Sequence, residues 1–309
     1  MGSEAITSMP YARIIRAVRD TPWAIIPSRL ADIVDVLRFQ AGGGKLTPEE
    51  IRAYVDVEAA ARREPEARRG KIAVLGVRGI IANRIEQVDN ISGPGGTSVE
   101  SLTNRFRGAL ADDSVKAIIL DIDSPGGSVD GVQEFATEVL EARGRKPIRA
   151  IANTLAASAA YWVGVSADEL SVTPSGEVGS IGVFASHSDL SAALEADGEK
   201  ITLIHAGRYK VEGNPFEPLS DSAREYIQTR VDAHYGAFTD HVGRSRGVDT
   251  SAVVDGFGEG RVVSATDAVE IGMADRVETL DSLVERLGAD LGRQRARSVG
   301  RSAHEFAFI

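Results

Sequence analysis

From Lys71 onward, short apolar runs alternate with helical patterns, and this rhythm restricts the chain to a sheet with helices packed on it, an α/β fold. KIAVLGV (71–77), KAIILDID (116–123), PIRAIAN (147–153), SIGVFA (180–185) and KITLIHA (200–206) read as buried strands. Helices are expected at about 98–111, 129–143, 157–166 and 188–197. A long helical stretch at 219–246 and a shorter one near 265–272 follow. The last helical segment, 279–292, leads into Arg293, Arg295, Arg297 and Arg301, for which a solvated, frayed tail is the expectation.

The first 68 residues have a different texture. Ser28 can cap a helix that places Leu30, Ile33, Val34 and Leu37 on one face. Gly42-Gly43-Gly44 breaks it, and Thr47-Pro48-Glu49-Glu50 reads as the start of another helix. The charged stretch Arg62–Arg69 reads as a solvated linker. Three parts are thus expected: an N-terminal helical extension over 1–68, the α/β domain over 69–278, and a C-terminal helix with basic tail over 279–309. The extension is a hairpin packing on the main domain or on a neighbour, or an arm that docks a partner.

Composition removes several classes of function. A formal net charge of −10 gives no general attraction to nucleic acid or anionic lipid, so neither is an expected partner. With no cysteine there is no thiol nucleophile, disulfide scaffold or thiolate-bound zinc. The longest apolar candidate, Trp23 to Phe39, is interrupted by Pro27, Arg29, Asp32 and Asp35, well short of the roughly 20 apolar residues of a spanning helix. A soluble, intracellular chain is the expectation. Gly-Gly-Gly-Lys-Leu-Thr (42–47) misses the phosphate-loop pattern, and Gly256–Arg261 misses the dinucleotide fingerprint. The five histidines show no metal-ligand spacing, so no metal or organic cofactor is expected.

Three segments carry possible chemistry. Asp123-Ser124-Pro125-Gly126-Gly127-Ser128 falls where a buried strand ends and a helix begins, and its glycines allow a sharp turn and close backbone approach to a ligand. Amides at such a turn can face a developing negative charge, although a plain connecting turn has the same composition. Ser158 stands among alanines at the start of a helix, with room for a substrate carbonyl; a small packing residue is the plainer reading. Lys210 follows in Gly207-Arg208-Tyr209-Lys210. The chain has six lysines against 29 arginines, and lysine, unlike arginine, can lose its proton when desolvated. A loop lysine in water is the alternative.

Taken together, Asp-Ser-Pro-Gly-Gly, the Ala-Ser-Ala context of Ser158, Gly-Ser-Ile-Gly-Val (179–183) and Gly-x-Tyr-Lys resemble the signal peptide peptidase A family. The stretch 187–238 and PWAIIPSRLADIVDVL are similar to its phage branch, the capsid-maturation proteases of the protein C type. The resemblance implies a Clp protease/crotonase-like fold of strand-strand-helix units. It also implies a serine peptidase with Ser158 as nucleophile, Lys210 as base, and an oxyanion hole from Gly126 or Gly127 with the Ala159 amide. Expected partners are scaffold, capsid or portal proteins and further copies of the chain, in the host cytoplasm or prohead. No N-terminal membrane anchor of the kind the family's membrane-bound members carry is expected here, and any scaffolding segment after the protease is expected to be short, absent or encoded elsewhere. Alternatives are a Ser-His peptidase using His187 with Asp189 or Asp168, an inactive capsid-assembly module, and a crotonase-type enzyme acting on coenzyme A thioesters.

Overall fold

The computed structural model describes residues 22–41, 67–84 and 96–305. The N-terminal region supplies β1 (Trp23–Ile25) and α1 (Pro27–Ala41). Then come β2 (Ala67–Arg69), β3 (Ile72–Arg78), β4 (Ile81–Ala82), β5 (Thr97–Ser98) and α2 (Val99–Ala111). β6 (Ala117–Ser124) leads through Pro125 into β7 (Gly126–Ser128) and α3 (Val132–Glu141); β8 (Ile148–Ala157) leads into α4 (Ala159–Val165). β9 (Glu169–Val172) and β10 (Glu177–Gly179) precede an irregular stretch holding only α5 (Ser191–Ala196). The remainder is α6 (Asp221–Arg246), α7 (Thr250–Gly256), β11 (Val262–Ser264), α8 (Ala265–Glu270), β12 (Arg276–Val277) and α9 (Leu280–Glu305).

Two sheets result. The larger runs β11-β10-β8-β6-β3-β2, with β9 beside β8 and β12 beside β9. Its central strands β3, β6 and β8 are parallel and buried on both faces, which is why their sequences are continuous apolar runs rather than alternating ones. The smaller sheet runs β1-β7-β4-β5 and joins the N-terminal region to the glycine-rich turn. α2 begins at Ser98, whose Oγ accepts the Ser101 N–H at 3.3 Å, and buries Val99, Leu102, Phe106, Ala109 and Leu110. α3 faces it, with Phe135 edge-on to Phe106. α4 is buried all round, its Trp162 stacked on Phe238 of α6 at 4.4 Å between ring centres. On the opposite face of the large sheet, Leu283 and Leu287 of α9 cover Ile72, Val74, Ala117, Ile119 and Ile151.

The expected α/β architecture of strand–helix units is therefore present, with four local differences. Residues 180–185 form no strand: Ser180 has φ 53°, and only Phe184 makes a bridge, to Trp23. KITLIHA forms none either, because 200–206 lies exposed, with Ile204 at 97% exposure, and finds no sheet edge among the described residues. The expected tail is helical as far as Glu305. Ala67–Arg69, expected as linker, pairs antiparallel with β3. The glycine break and the helix start at Thr47 lie outside the described residues.

Candidate active site

The site is assembled where β6 and β8 end side by side. Their parallel register holds from Ile118↔Ile148 to Ile122↔Ala152 and resumes at Ser124↔Ala156, so Asn153, Thr154 and Leu155 oppose the single residue Asp123. Thr154, inside this bulge, has φ 139°. Beyond it, one edge of β8 passes from β9, which pairs with Arg149–Ala152, to β10, which pairs with Leu155–Ala157. The bulge and the change of partner bring Ala157 to the sheet end with Ser158 turned out of the strand direction.

Ser158 has φ 57° and ψ −119°, a combination that a residue with a Cβ adopts only when its surroundings hold it there. Its N–H donates to the Gly179 carbonyl at 2.7 Å, and its own carbonyl accepts the Trp162 N–H at 2.9 Å, the opening bond of α4. The hydroxyl donates to the Gly182 carbonyl at 3.4 Å, and the residue is 1% exposed. This is a strained strand-to-helix turn with a serine at its tip, the construction found around activated serines elsewhere.

The glycine turn closes over it. A Cβ on Gly126, where φ is 102°, would lie 2.3 Å from the Ala24 carbonyl oxygen and 3.0 Å from Ser158 Cβ; one on Gly127 would lie 1.8 Å from the Ile81 carbonyl oxygen. Both positions therefore demand glycine, for close approach in each case and for handedness at Gly126. Ile26 N–H donates to Pro125 O at 3.1 Å and Val129 N–H to Pro22 O at 3.4 Å. With Ala24 opposite Gly127, the alternation of an antiparallel ladder turns the Gly127 amide toward β1. The Gly126 amide faces the other way, where Ser124 Oγ accepts it at 3.2 Å. Ser124 is itself tied to the Gly79 carbonyl at 2.6 Å.

The segment after β10 forms the opposite wall. Ser180, 7% exposed and between the two glycines whose carbonyls contact Ser158, is anchored by its N–H to the Arg261 carbonyl at 2.7 Å. The sequence reading took this stretch as an ordinary strand; its Gly-Ser-Ile-Gly pattern, glycines flanking a polar residue, was the signal of irregular backbone.

Lys210 is exposed where Ser158 is buried. It sits in turns between Gly207 (φ 96°) and Gly213 (φ 69°), its N–H donates to the Gly207 carbonyl at 3.1 Å, and its side chain is exposed. Among the described residues, no hydrogen bond joins it to Ser158. His187 is not bonded to Ser158 either: its Nε2 lies 3.1 Å from the Asn214 carbonyl. Asp189 accepts from the N–H and hydroxyl of Ser191, contacts that hold its carboxyl below the usual range. Asp168 accepts from the Ile148 N–H at 2.7 Å and pairs with Arg149. A second serine–histidine pair went unnoticed in the sequence, Ser166 Oγ and His241 Nε2 at 2.7 Å. Both are 0% exposed, so no substrate reaches them; the pair fastens α4 to α6.

A polar cluster also went unnoticed: Asp121, 5% exposed, pairs with Arg78 and accepts from Asn153 Nδ2 at 3.1 Å near the ends of β3, β6 and β8. No group of three or more metal-ligating side chains suited to an ion occurs among the described residues. Nor is any described helix long and apolar enough to cross a membrane.

Residues 141–293, from the end of α3 through the serine turn and the exposed stretch into α9, match the model of Peptidase family S49. Over 88% of its length the chain is 34% identical to "Capsid assembly protease C" of Escherichia phage lambda, covering 62% of that protein. Over residues 141–293 the chain matches peptidase family S49. Another similar protein is "Head-tail preconnector protein GP5" of Enterobacteria phage P21, at 35% identity over 67% of this chain and 40% of the phage P21 protein. A more distant one is "Serine protease SPPA, chloroplastic" of Arabidopsis thaliana, 27% identical over 70% of this chain and 32% of that protein. The chain thus spans under two thirds of the length of each of these three.

Proposed function

We propose that the chain is a serine endopeptidase that uses Ser158 as nucleophile and Lys210 as general base and cuts capsid or scaffold proteins during phage head maturation. The observation that carries this reading is the strained, buried turn at Ser158, pressed against a loop that tolerates only glycine. Similarity to the phage lambda and phage P21 proteins supports the substrate class.

In the proposed reaction, neutral Lys210 takes the hydroxyl proton as Ser158 Oγ attacks a peptide carbonyl. The resulting oxyanion is held by the Ala159 amide and by the Gly126–Gly127 loop. Because the Gly127 amide faces β1, Gly126 is the better-placed donor, exchanging its long bond to Ser124 Oγ for the oxyanion. One such donor is worth roughly 2.7–4 kcal/mol. Lys210 then passes the proton to the leaving amine; neutral again, it deprotonates a water that attacks the acyl carbon, and it returns that proton to Ser158 Oγ as the acyl group departs as a carboxylate.

The lysine must reach the serine, and the exposed stretch explains how that is left open. Leu190, Ile201, Ile204 and Tyr209 all expose apolar surface on it. Such surface calls for a cover. We assign that cover to assembly of copies of the chain, in which the stretch packs and Lys210 enters a dry site that favours its neutral form. The contact of His187 with Asn214 disfavours the histidine mechanism.

The test is intact-mass analysis of wild type, Ser158→Ala and Lys210→Met, each incubated with an alkyl fluorophosphonate and, separately, with a capsid or scaffold protein. Labelling and cleavage by the wild type alone is the expected result. Cleavage that survives Lys210→Met and fails in His187→Ala would replace the base. A folded wild type that is neither labelled nor cleaves would leave an assembly module.

A further inference from the structure

A groove of about 560 Å³ is lined by the segment that contacts Ser158 through Gly182, and its composition is lopsided. One wall is Ile181, Gly182 and Val183, the backbone whose Gly182 carbonyl receives the Ser158 hydroxyl. Val231 and Tyr235 of α6 and Val254 of α7 supply apolar surface. The polar lining is Gln228, Asp232, Asp255 and Glu259, with no lysine or arginine.

Asp232 is engaged by the Gln228 amide at 2.7 Å. Asp255 and Glu259 make no hydrogen bond or ion pair among the described residues, and both are exposed. Both bear on the same ring: burial, then the negative charge of Asp255 and of Glu259, raise the Tyr235 phenol above its usual value. Glu259 stands at φ 47° and ψ 45° between Gly258 and Gly260, a left-handed position that glycine would fill at lower cost.

We infer that this groove receives a lysine or arginine side chain of the peptide close to the scissile bond, its aliphatic stem on Val183, Val231, Val254 and Tyr235 and its charge on Asp255 and Glu259. The inference rests on the peptidase reading and names its substrate class. A long basic side chain is the one natural type that matches both halves of the groove, since its stem is apolar and its head cationic. An acidic side chain would meet like charge, and a purely apolar one would leave the carboxylates without a partner.

The test is cleavage-site profiling of the full-length wild type on a peptide library made from a bacterial proteome, read by mass spectrometry, beside Asp255→Asn/Glu259→Gln and Glu259→Lys. Lysine and arginine should be enriched at one position flanking the cut. The matching kcat/KM advantage over leucine should be about tenfold, the size that two solvent-exposed charge contacts together produce. The double variant should lose that advantage, its kcat/KM on lysine and arginine peptides falling to the level of its own leucine peptides, and Glu259→Lys should shift the position toward acidic residues. Enrichment that is absent in wild type, or unchanged in the double variant, overturns the inference and leaves the peptidase reading standing. A wild type that cuts nothing removes both.

Discussion

At Ser158 the backbone conformation itself can be assayed. Its φ and ψ lie where glycine is at ease and a residue with a Cβ is not. Ser158→Ala and Ser158→Gly should both be inactive, yet the glycine variant should be the more stable by about 1 kcal/mol, or about 2–4 °C in thermal unfolding. Equal midpoints would mean that the turn is not strained. At Gly126 the opposite holds, because an added methyl meets the Ala24 carbonyl and Ser158 at once. Gly126→Ala should lower stability by on the order of 2–4 kcal/mol in urea titration, with peptide cleavage reduced at least about 100-fold. The candidates at these positions were legible in residue types: two adjacent glycines, a serine among alanines, and a lysine in a chain with six lysines against 29 arginines. Their distances were not, since nothing local in the sequence says that Ala24 faces Gly127.

At the scale of elements, the pairing of α4 with α6 carries a pH dependence. Burial, reinforced by the Arg244 and Arg143 guanidiniums, lowers the His241 pKa to about 4, against 6.5 for a free imidazole. Between those values the unfolded chain holds a proton that the folded chain does not, so stability is lost as pH falls from 6.5 toward 4. Wild type should lose about 2 kcal/mol more than His241→Gln on going from pH 7 to pH 5, measured by urea unfolding of both proteins. A matching loss in the two would place the histidine outside this linkage. Element prediction succeeded where burial on both faces wrote itself as an apolar run, as in β3, β6 and β8. It failed at 180–185 and 200–206, whose composition is just as apolar. In the first, a left-handed serine interrupts the ladder; in the second, the apolar side chains find no sheet edge among the described residues. Periodicity reports that a surface is to be covered, and says nothing about what covers it.

For the whole molecule, the exposed stretch carrying Lys210 ties catalysis to assembly under the proposed mechanism. Ile204→Glu puts a charge where covering is expected, without touching the core of an isolated copy. It should shift sedimentation velocity profiles toward smaller species and reduce cleavage in parallel. Full cleavage by a monomeric variant would detach the lysine from assembly.

The seat of Ser158 is also built from distant parts of the chain. Its amide is held by Gly179, the neighbouring Ser180 is held by Arg261, and Gly179 lies opposite Val262 of β11. The loop over it is braced by β1, made long before. During translation, then, a nascent chain that has already exposed Ser158 still lacks the strand that seats it. Under the proposed mechanism, synthesis order works as a safety catch: the seat of Ser158 cannot close until β11 has left the ribosome.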